Sequence, residues 1–175
     1  MIKSVLMSAA LMTAAMFTAQ GQPSPPAQTS VTIGGKALSI KYSAPSVKGR
    51  KMFGDGGRIS NDPTYPVWRA GANSATAFHT DADLDIKGLH VPAGNYTIFV
   101  QVTPEPWQLI INKQTGQWGL SYKKDQDLGR VAMDVTKPSS PIETLKITLS
   151  ETGAKAGTLQ IEFENYVASV PFKVQ

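Results

Sequence analysis

Residues 95–112 read NYTIFVQVTPEPWQLIIN, and this stretch decides the fold class. Apolar side chains occupy every second position on both sides of a Pro-rich turn: Tyr96, Ile98, Val100, Val102, Trp107, Leu109 and Ile111. A period of two places alternate side chains on opposite faces of a β-strand, one toward a core and one toward water. The stretch therefore predicts two β-strands separated by the turn at residues 104–106.

The same period continues toward the C-terminus. It recurs at Val131, Met133 and Val135, at Leu145, Ile147 and Leu149, at Leu159, Ile161 and Phe163, and at Val170, Phe172 and Val174. Pro, Gly, Asn and Ser separate these runs, and only single helical turns are suggested, near residues 73–77. We therefore predict one all-β domain over residues 31–175, an antiparallel β-sandwich of about eight or nine strands.

The first residues carry the pattern of an export signal. Lys3 precedes an apolar stretch from Val5 to Ala19 that is too short to span a bilayer comfortably, and small residues at Ala19 and Gly21 fit a cleavage site. We expect a signal peptide over residues 1–21, cleavage after Gly21, and a periplasmic or secreted protein without stable membrane insertion. An uncleaved anchor is the alternative. Residues 22–30 (QPSPPAQTS) are predicted to be a Pro-rich linker.

Composition narrows the classes of function. The sequence contains no cysteine, which excludes disulfides, a lipid-anchored N-terminal cysteine and a cysteine nucleophile. Its formal net charge is only +4 and no run of Lys or Arg is present, so nucleic acid is not an expected partner. No Gly-x-Ser-x-Gly motif and no Gly-rich phosphate loop occurs. We therefore assign no catalytic residue and expect no cofactor.

One acidic segment of the sequence suggests metal binding at first sight. His79, Asp81, Asp83 and Asp85 share one parity, and several carboxylates at this spacing are a pattern that hard cations favour. Ile86 stands where an EF-hand loop needs glycine, however, and the two histidines show no zinc-binding spacing. We interpret the segment as an amphipathic strand with an acidic outer face and assign no metal ligand.

Six stretches of the chain together resemble one family of exported bacterial proteins, the domain-of-unknown-function 2911 family. They are residues 42–54 (YSAPSVKGRKMFG), 67–76 (VWRAGANSAT), 91–99 (VPAGNYTIF), 107–113 (WQLIINK), 117–119 (QWG) and 163–165 (FEN). Their order and spacing extend over most of the chain. The resemblance implies a single β-rich exported domain and no established activity.

The residues with chemical potential are basic, amide and aromatic. Residues 48–66 form a long Gly-rich segment, and long ordered loops in compact domains are often functional. We predict a cleft built from Lys48, Arg50, Arg69, Asn73 and Trp118, in which guanidinium and amide groups donate to a ligand. The structural alternative makes residues 71–73 a tight turn and pairs Arg69 with a carboxylate of the protein.

These observations favour an exported, non-catalytic binding module for a small anionic or sugar-like ligand. Two other classes remain open at this point. One is a hydrolase of envelope or extracellular material that acts through a pair of carboxylates, whose separation is set only in three dimensions. The other is a structural or assembly protein that uses an exposed strand edge.

Overall fold

The computed structural model describes residues 23–175 as an all-β protein. Residues 1–21, for which a signal peptide is predicted, lie outside this described part of the chain. The thirteen strands are β1 (Pro26–Ile33), β2 (Lys36–Ser43), β3 (Val67–Trp68), β4 (Thr76–Thr80), β5 (Leu84–Ile86), β6 (Leu89–Val91), β7 (Gly94–Gln101), β8 (Gln108–Asn112), β9 (Asp127–Ala132), β10 (Asp134–Thr136), β11 (Ile142–Gly153), β12 (Ala156–Glu164) and β13 (Tyr166–Val174). Two short 3-10 helices span Ile59–Asn61 and Lys124–Gln126.

Two antiparallel sheets pack face to face. The first has the order β1-β2-β4-β7-β8-β9, with β3 also pairing with β7. The second has the order β11-β12-β13-β5-β6, with β10 also pairing with β13. The predicted antiparallel sandwich is thus confirmed, and the alternating residues of β7, β8, β11, β12 and β13 supply its core. No helix within residues 23–175 is long and apolar enough to cross a membrane.

The predicted number of strands was too low. Strands β3, β5, β6 and β10 contain only two or three residues each, which is too few to show a period in the sequence. Their positions depend on hydrogen bonds to longer neighbours, as when β3 pairs with β7 through Val67 opposite Gln101.

Two predicted boundaries differ from the structure. Strand β1 begins at Pro26, so residues 26–30 belong to the first sheet and not to a linker, because they pair in register with β2 from Pro26 opposite Ser43. Proline is tolerated there because it is the first residue of an edge strand. The acidic segment around Asp81 is also not one strand. It leaves the first sheet after β4 and enters the second at β5.

A local turn causes this change of sheet. The Thr80 hydroxyl donates to the Ala82 carbonyl at 2.7 Å and accepts from the Ala82 N–H at 3.2 Å. The four side chains that share a parity in the sequence therefore do not share one strand face. His79 instead contacts Asp81 at 2.8 Å, and His90 contacts Asp83 at 3.7 Å.

The open edge of β11 is covered by the protein itself. Its backbone N–H groups at Leu145, Ile147 and Leu149 donate to the Pro45 carbonyl, the Tyr42 hydroxyl and the Thr29 hydroxyl, respectively. An uncovered edge would offer these groups to another chain. These contacts also bring residues 44–50, which follow β2, to one end of the sandwich, where they form part of the cleft described next.

Candidate functional site

Four of the five predicted site residues line one cleft at an end of the sandwich. This arginine cleft has a volume of about 320 Å³. Its lining includes three arginines, one carboxylate, one amide and three aromatic rings: Arg50, Arg58, Arg69, Asp62, Asn73, Trp68, Trp118 and Phe163. The structure thus brings Arg50, Arg69, Asn73 and Trp118 together from segments far apart in the sequence.

Lys48 does not line the arginine cleft. It borders an adjoining depression that shares Arg50 with the cleft. The backbone N–H of Lys48 donates to Glu143 Oε1 at 2.8 Å, which fastens this part of the loop beside β11 and away from Arg69. Lys48 therefore lies next to the arginine cleft and not in its lining.

Arg69 enters the cleft because strand β3 stops just before it. Trp68 is buried in the core, whereas Ala70 adopts a positive φ of 46°, which ends the extended backbone. The Thr76 hydroxyl donates toward the carbonyls of Ala70 and Arg69, at 2.9 and 3.1 Å. A side chain at Gly71 would place its Cβ 2.8 Å from that hydroxyl, so glycine permits the close approach.

The loop that carries Trp118 docks against the turn at Asn73. The Gly119 N–H donates to the Asn73 carbonyl at 2.9 Å, and the Ala75 N–H donates to the Gln117 carbonyl at 3.0 Å. These bonds hold Trp118 at the rim of the arginine cleft, where 53% of its surface remains exposed. Trp68, by contrast, is buried in the core, so only one of the two tryptophans of the cleft is accessible to a ligand at the rim.

Arg58 and Asp62 are members of the cleft that the sequence analysis missed. They flank the short 3-10 helix Ile59–Asn61, inside the loop that was singled out only for its length and glycines. One helical turn places both residues beside Arg69. In the sequence, the spacing of Arg58 and Asp62, four residues apart, was the only signal for either residue. Such pairs are common on protein surfaces, so this spacing does not indicate a site.

The Arg69 guanidinium is only weakly neutralised. Its Nη2 lies 3.9 Å from Asp62 Oδ2, and its buried Nε has no hydrogen-bond partner within residues 23–175. Burial lowers the pKa of Arg69, Asp62 acts to raise it, and the nearby positive charge of Arg58 lowers it further. An arginine that is partly desolvated beside another arginine offers a strong attraction to an anion.

Arg50 is partly engaged by its own loop. Its Nε donates to the Val47 carbonyl at 2.9 Å and its Nη2 donates to the Ser46 carbonyl at 2.6 Å. These bonds hold the guanidinium at the cleft wall while leaving its remaining donors without protein partners in the described residues. Arg58 makes no side-chain hydrogen bond or ion pair there either.

Aromatic rings form the floor of the arginine cleft. Trp68 and Phe163 stack with ring centroids 6.1 Å apart and an angle of 7° between their planes. Beside them, Glu164 adopts a positive φ of 51° and its carboxylate accepts the Met52 N–H at 2.8 Å. The buried carboxylate therefore anchors the loop that carries Arg50 and Arg58 to the strand that carries Phe163.

The geometry offers no metal centre in the described part of the chain. Residues 23–175 contain no group of three or more His, Asp or Glu side chains arranged to hold a metal ion. Of residues 23–175, Asp62 is the only carboxylate that lines the arginine cleft, and no histidine lines it.

Comparison with known protein families matches residues 24–172 to a family model described as "Protein of unknown function (DUF2911)". No curated protein and no solved structure matches the chain. The matched range includes both sheets and all of the charged and aromatic residues of the arginine cleft.

Proposed function

Because the chain belongs to the DUF2911 family of proteins of unknown function, its role has to be inferred from its site, and we propose that it is an exported, non-catalytic binding module that holds a small anion in the arginine cleft. The convergence of three guanidinium groups on one cleft carries this proposal. Arg50, Arg58 and Arg69 face a single carboxylate, Asp62.

The charges and partners of the arginines favour a carboxylate or phosphate group. Guanidinium groups match both anions with two parallel hydrogen bonds, and such charge-assisted bonds are stronger than neutral ones. The one internal counter-ion, at 3.9 Å from Arg69, is beyond hydrogen-bond distance. An incoming anion would therefore gain donors that the protein itself leaves largely unused.

The size of the cleft favours a small ligand. Its volume of about 320 Å³ is at the lower end of the range for small-molecule sites. Trp118 at the rim provides an exposed aromatic surface against which a sugar ring or an apolar part of the ligand would pack. Asn73 adds an amide to the cleft wall beside it.

Binding is favoured over the two alternatives by specific features. A hydrolase that used the arginine cleft would need a second acid near Asp62, and no other carboxylate of residues 23–175 lines this cleft. An assembly protein that extends its second sheet at β11 needs a free edge there, and the N–H groups of Leu145, Ile147 and Leu149 already have partners. Export follows from the predicted signal peptide over residues 1–21 and is part of the proposal.

Ligand titration of protein produced from the complete chain tests this function. We expect one or more of phosphate, sulfate, succinate, glucuronate and glucose 6-phosphate to raise the melting temperature, since a ligand of the folded state stabilises it by mass action. Glucose serves as the neutral control. Calorimetric titration then gives the affinity.

A pair of variants ties binding to the cleft. Arg58→Gln should weaken binding of the anion about tenfold, because it removes one charge-assisted donor. Lys137→Gln removes the same charge from an exposed position outside the cleft and should leave affinity unchanged. Absence of any anion effect at about 10 mM, or equal losses in both variants, would contradict the proposal.

A further inference from the structure

A second cavity lies on the other side of the loop that forms a wall of the arginine cleft. This aromatic pocket has a volume of about 230 Å³. Four aromatic rings and two carboxylates dominate its lining: Phe53, Tyr65, Trp107, Tyr166, Asp55 and Glu105. Ile59 lines both cavities, so one loop separates two sites of different chemistry.

The charge of the aromatic pocket is opposite to that of the arginine cleft. Asp55 and Glu105 line it, and no Lys, Arg or His does. Within residues 23–175, neither carboxylate has an ion pair or a side-chain hydrogen bond. Lys51 lies close by, but its ammonium donates to the main-chain carbonyl of Asp55 at 2.7 Å. The pocket therefore presents two carboxylates without an ion-pair partner among residues 23–175, with one ammonium group beside the main chain of Asp55.

Its aromatic wall is built from rings in mutual contact. Phe53, Trp107 and Tyr166 have pairwise centroid distances of 5.1, 5.0 and 4.8 Å. Tyr65 completes the wall with 41% of its surface exposed. Among residues 23–175, Tyr65 and Trp118 are the exposed large hydrophobic side chains, and each lines one of the two cavities.

Backbone hydrogen bonds within the loop hold this wall in place. The Arg58 N–H donates to the Lys51 carbonyl at 2.9 Å, and the Ile59 N–H donates to the Met52 carbonyl at 3.0 Å. The Tyr65 N–H donates to the Asp62 carbonyl at 3.0 Å. A Cβ at Gly57 would lie 2.6 Å from the Met52 carbonyl oxygen, so the loop closes tightly on itself at that glycine. A preformed wall lowers the entropic cost of binding.

We propose that the aromatic pocket is a second ligand site and that it binds a small organic cation, of the ammonium class with an apolar substituent. Aromatic rings attract cations through the negative faces of their π systems, and quaternary ammonium groups are recognised in this way. The carboxylates of Asp55 and Glu105 add direct charge complementarity. An anion would meet repulsion here, so the two cavities select ligands of opposite charge.

Choline and its uncharged isostere, 3,3-dimethyl-1-butanol, test the proposal with the complete chain. Each compound is titrated while the side-chain NMR signals of Tyr65, Trp107 and Trp118 are followed. We expect choline to shift the signals of Tyr65 and Trp107 in a saturable way, and the neutral isostere to bind at least several-fold more weakly. Equal affinity for both compounds would overturn the assignment to a cation, as would a failure of choline to bind.

Matched variants locate the binding. Glu105→Gln and Tyr65→Ala should each weaken choline binding about two- to five-fold, which is the range expected for one exposed cation–π contact or one screened charge. Glu151→Gln changes the same charge at an exposed position outside the pocket and should have no effect. Arg58→Gln should leave choline binding intact, which separates this site from the proposed anion site. Choline shifts centred on Trp118, or insensitive to both pocket variants, would overturn the proposal.

Discussion

The guanidinium of Arg69 and the carboxylate of Asp62 lie 3.9 Å apart in a partly desolvated cleft, close enough to attract each other and too far apart to share a hydrogen bond. Their side chains are 17% and 19% exposed, respectively. Asp62 therefore balances part of the arginine charge without occupying the donors. This relationship leads to the first two predictions.

Asp62→Asn should tighten binding of the anion. The substitution removes the only negative charge that residues 23–175 contribute to the lining of the arginine cleft. A carboxylate about 4 Å from an incoming anion opposes its binding by about 1 kcal/mol, or roughly five-fold in affinity. Stability should fall by about 1 kcal/mol or less, because the pair is still partly hydrated. Calorimetric titration and thermal melts measure the two effects. Weaker binding in this variant would show that Asp62 contacts the ligand favourably.

Arg69→Met should separate binding from folding. Methionine keeps an apolar stem of similar length and removes the buried Nε that lacks a partner, so we expect the free energy of unfolding to change by about 1 kcal/mol or less. Affinity for the anion should fall about tenfold or more because a charge-assisted donor is lost. Arg69→Lys is the companion variant, with the charge retained and the planar fork lost. A large loss of stability in Arg69→Met would assign the side chain to folding.

Gly119→Ala should destabilise the protein by about 1 to 3 kcal/mol. The added Cβ would lie 2.6 Å from Arg69 Cδ and 2.7 Å from the Asn73 carbonyl oxygen. The arginine stem can move, but the backbone carbonyl is held by its hydrogen bond from the Gly119 N–H. Denaturant unfolding measures the loss. Ser121→Ala, at an exposed position of the same loop, is the control and should change stability little.

His79 should titrate above the ordinary histidine range. Its pKa is raised first by the hydrogen bond from Nε2 to Asp81 at 2.8 Å and then by the one from Nδ1 to Asn95 at 2.9 Å. The Asp81 pKa is lowered, first by His79 and then by the backbone N–H of Ala37. NMR titration of the imidazole checks this. Asp81→Asn should lower the His79 pKa, because the largest cause of its rise is then lost.

The sign of the resulting pH dependence follows from these directions. Because the pKa of His79 is higher in the folded than in the unfolded protein, protonation of His79 stabilises the fold. This contribution is complete below the unfolded pKa of 6.5 and is lost as pH rises through the folded pKa. Because the pKa of Asp81 is lower in the folded protein, ionised Asp81 also stabilises the fold. This contribution is complete above the unfolded pKa of 3.8 and is lost as pH falls through the folded pKa. Both contributions are present between these limits. The effect should be small because both side chains are well exposed, and a larger pH effect in Asp81→Asn than in the wild type would contradict the pairing.

Export predicts a defined N-terminus. Protein recovered from the producing cell should begin at or near Gln22, because cleavage is expected after Gly21. Mass analysis of the N-terminal peptide checks this. Protein that still begins at Met1 would contradict the proposed periplasmic or secreted location.

Alternation of apolar residues was sufficient to predict the long strands. The runs around Ile98, Leu109, Ile147, Ile161 and Val170 all lie in strands whose inward side chains are buried. The prediction was possible because a strand with one buried face needs an apolar residue at every second position, and this pattern is visible within a few residues of sequence. The same local logic failed at residues 81–83. There the chain crosses from the first sheet to the second. The alternation of polar and apolar residues continues in the sequence, although β4 has ended and β5 has not yet begun.

The sequence predicted some residues of the arginine cleft and missed others, and there is a physical reason for the difference. Arg69, Asn73 and Trp118 were identified because guanidinium and amide groups can donate to a ligand and an aromatic ring on a Gly-flanked loop can pack against one. Arg58 and Asp62 were missed, and Lys48 lines the adjoining depression instead. Which charges of a long loop face a cleft depends on how the loop is anchored. Here the anchors are Glu143 and Glu164, about 100 residues further along the chain.

The sequence by itself thus determined the all-β class, the core face of strands β7, β8, β11, β12 and β13, the chemistry excluded by the absence of cysteine, and the family. Tertiary structure alone decided which charges meet. Side-chain periodicity is a local property of each strand, whereas the arginine cleft and the aromatic pocket arise from contacts between segments far apart in the chain. One loop, residues 48–66, carries basic residues into one cavity and an acidic residue, Asp55, into the other. Only the hydrogen bonds that close this loop onto the two sheets assign each charge to its side.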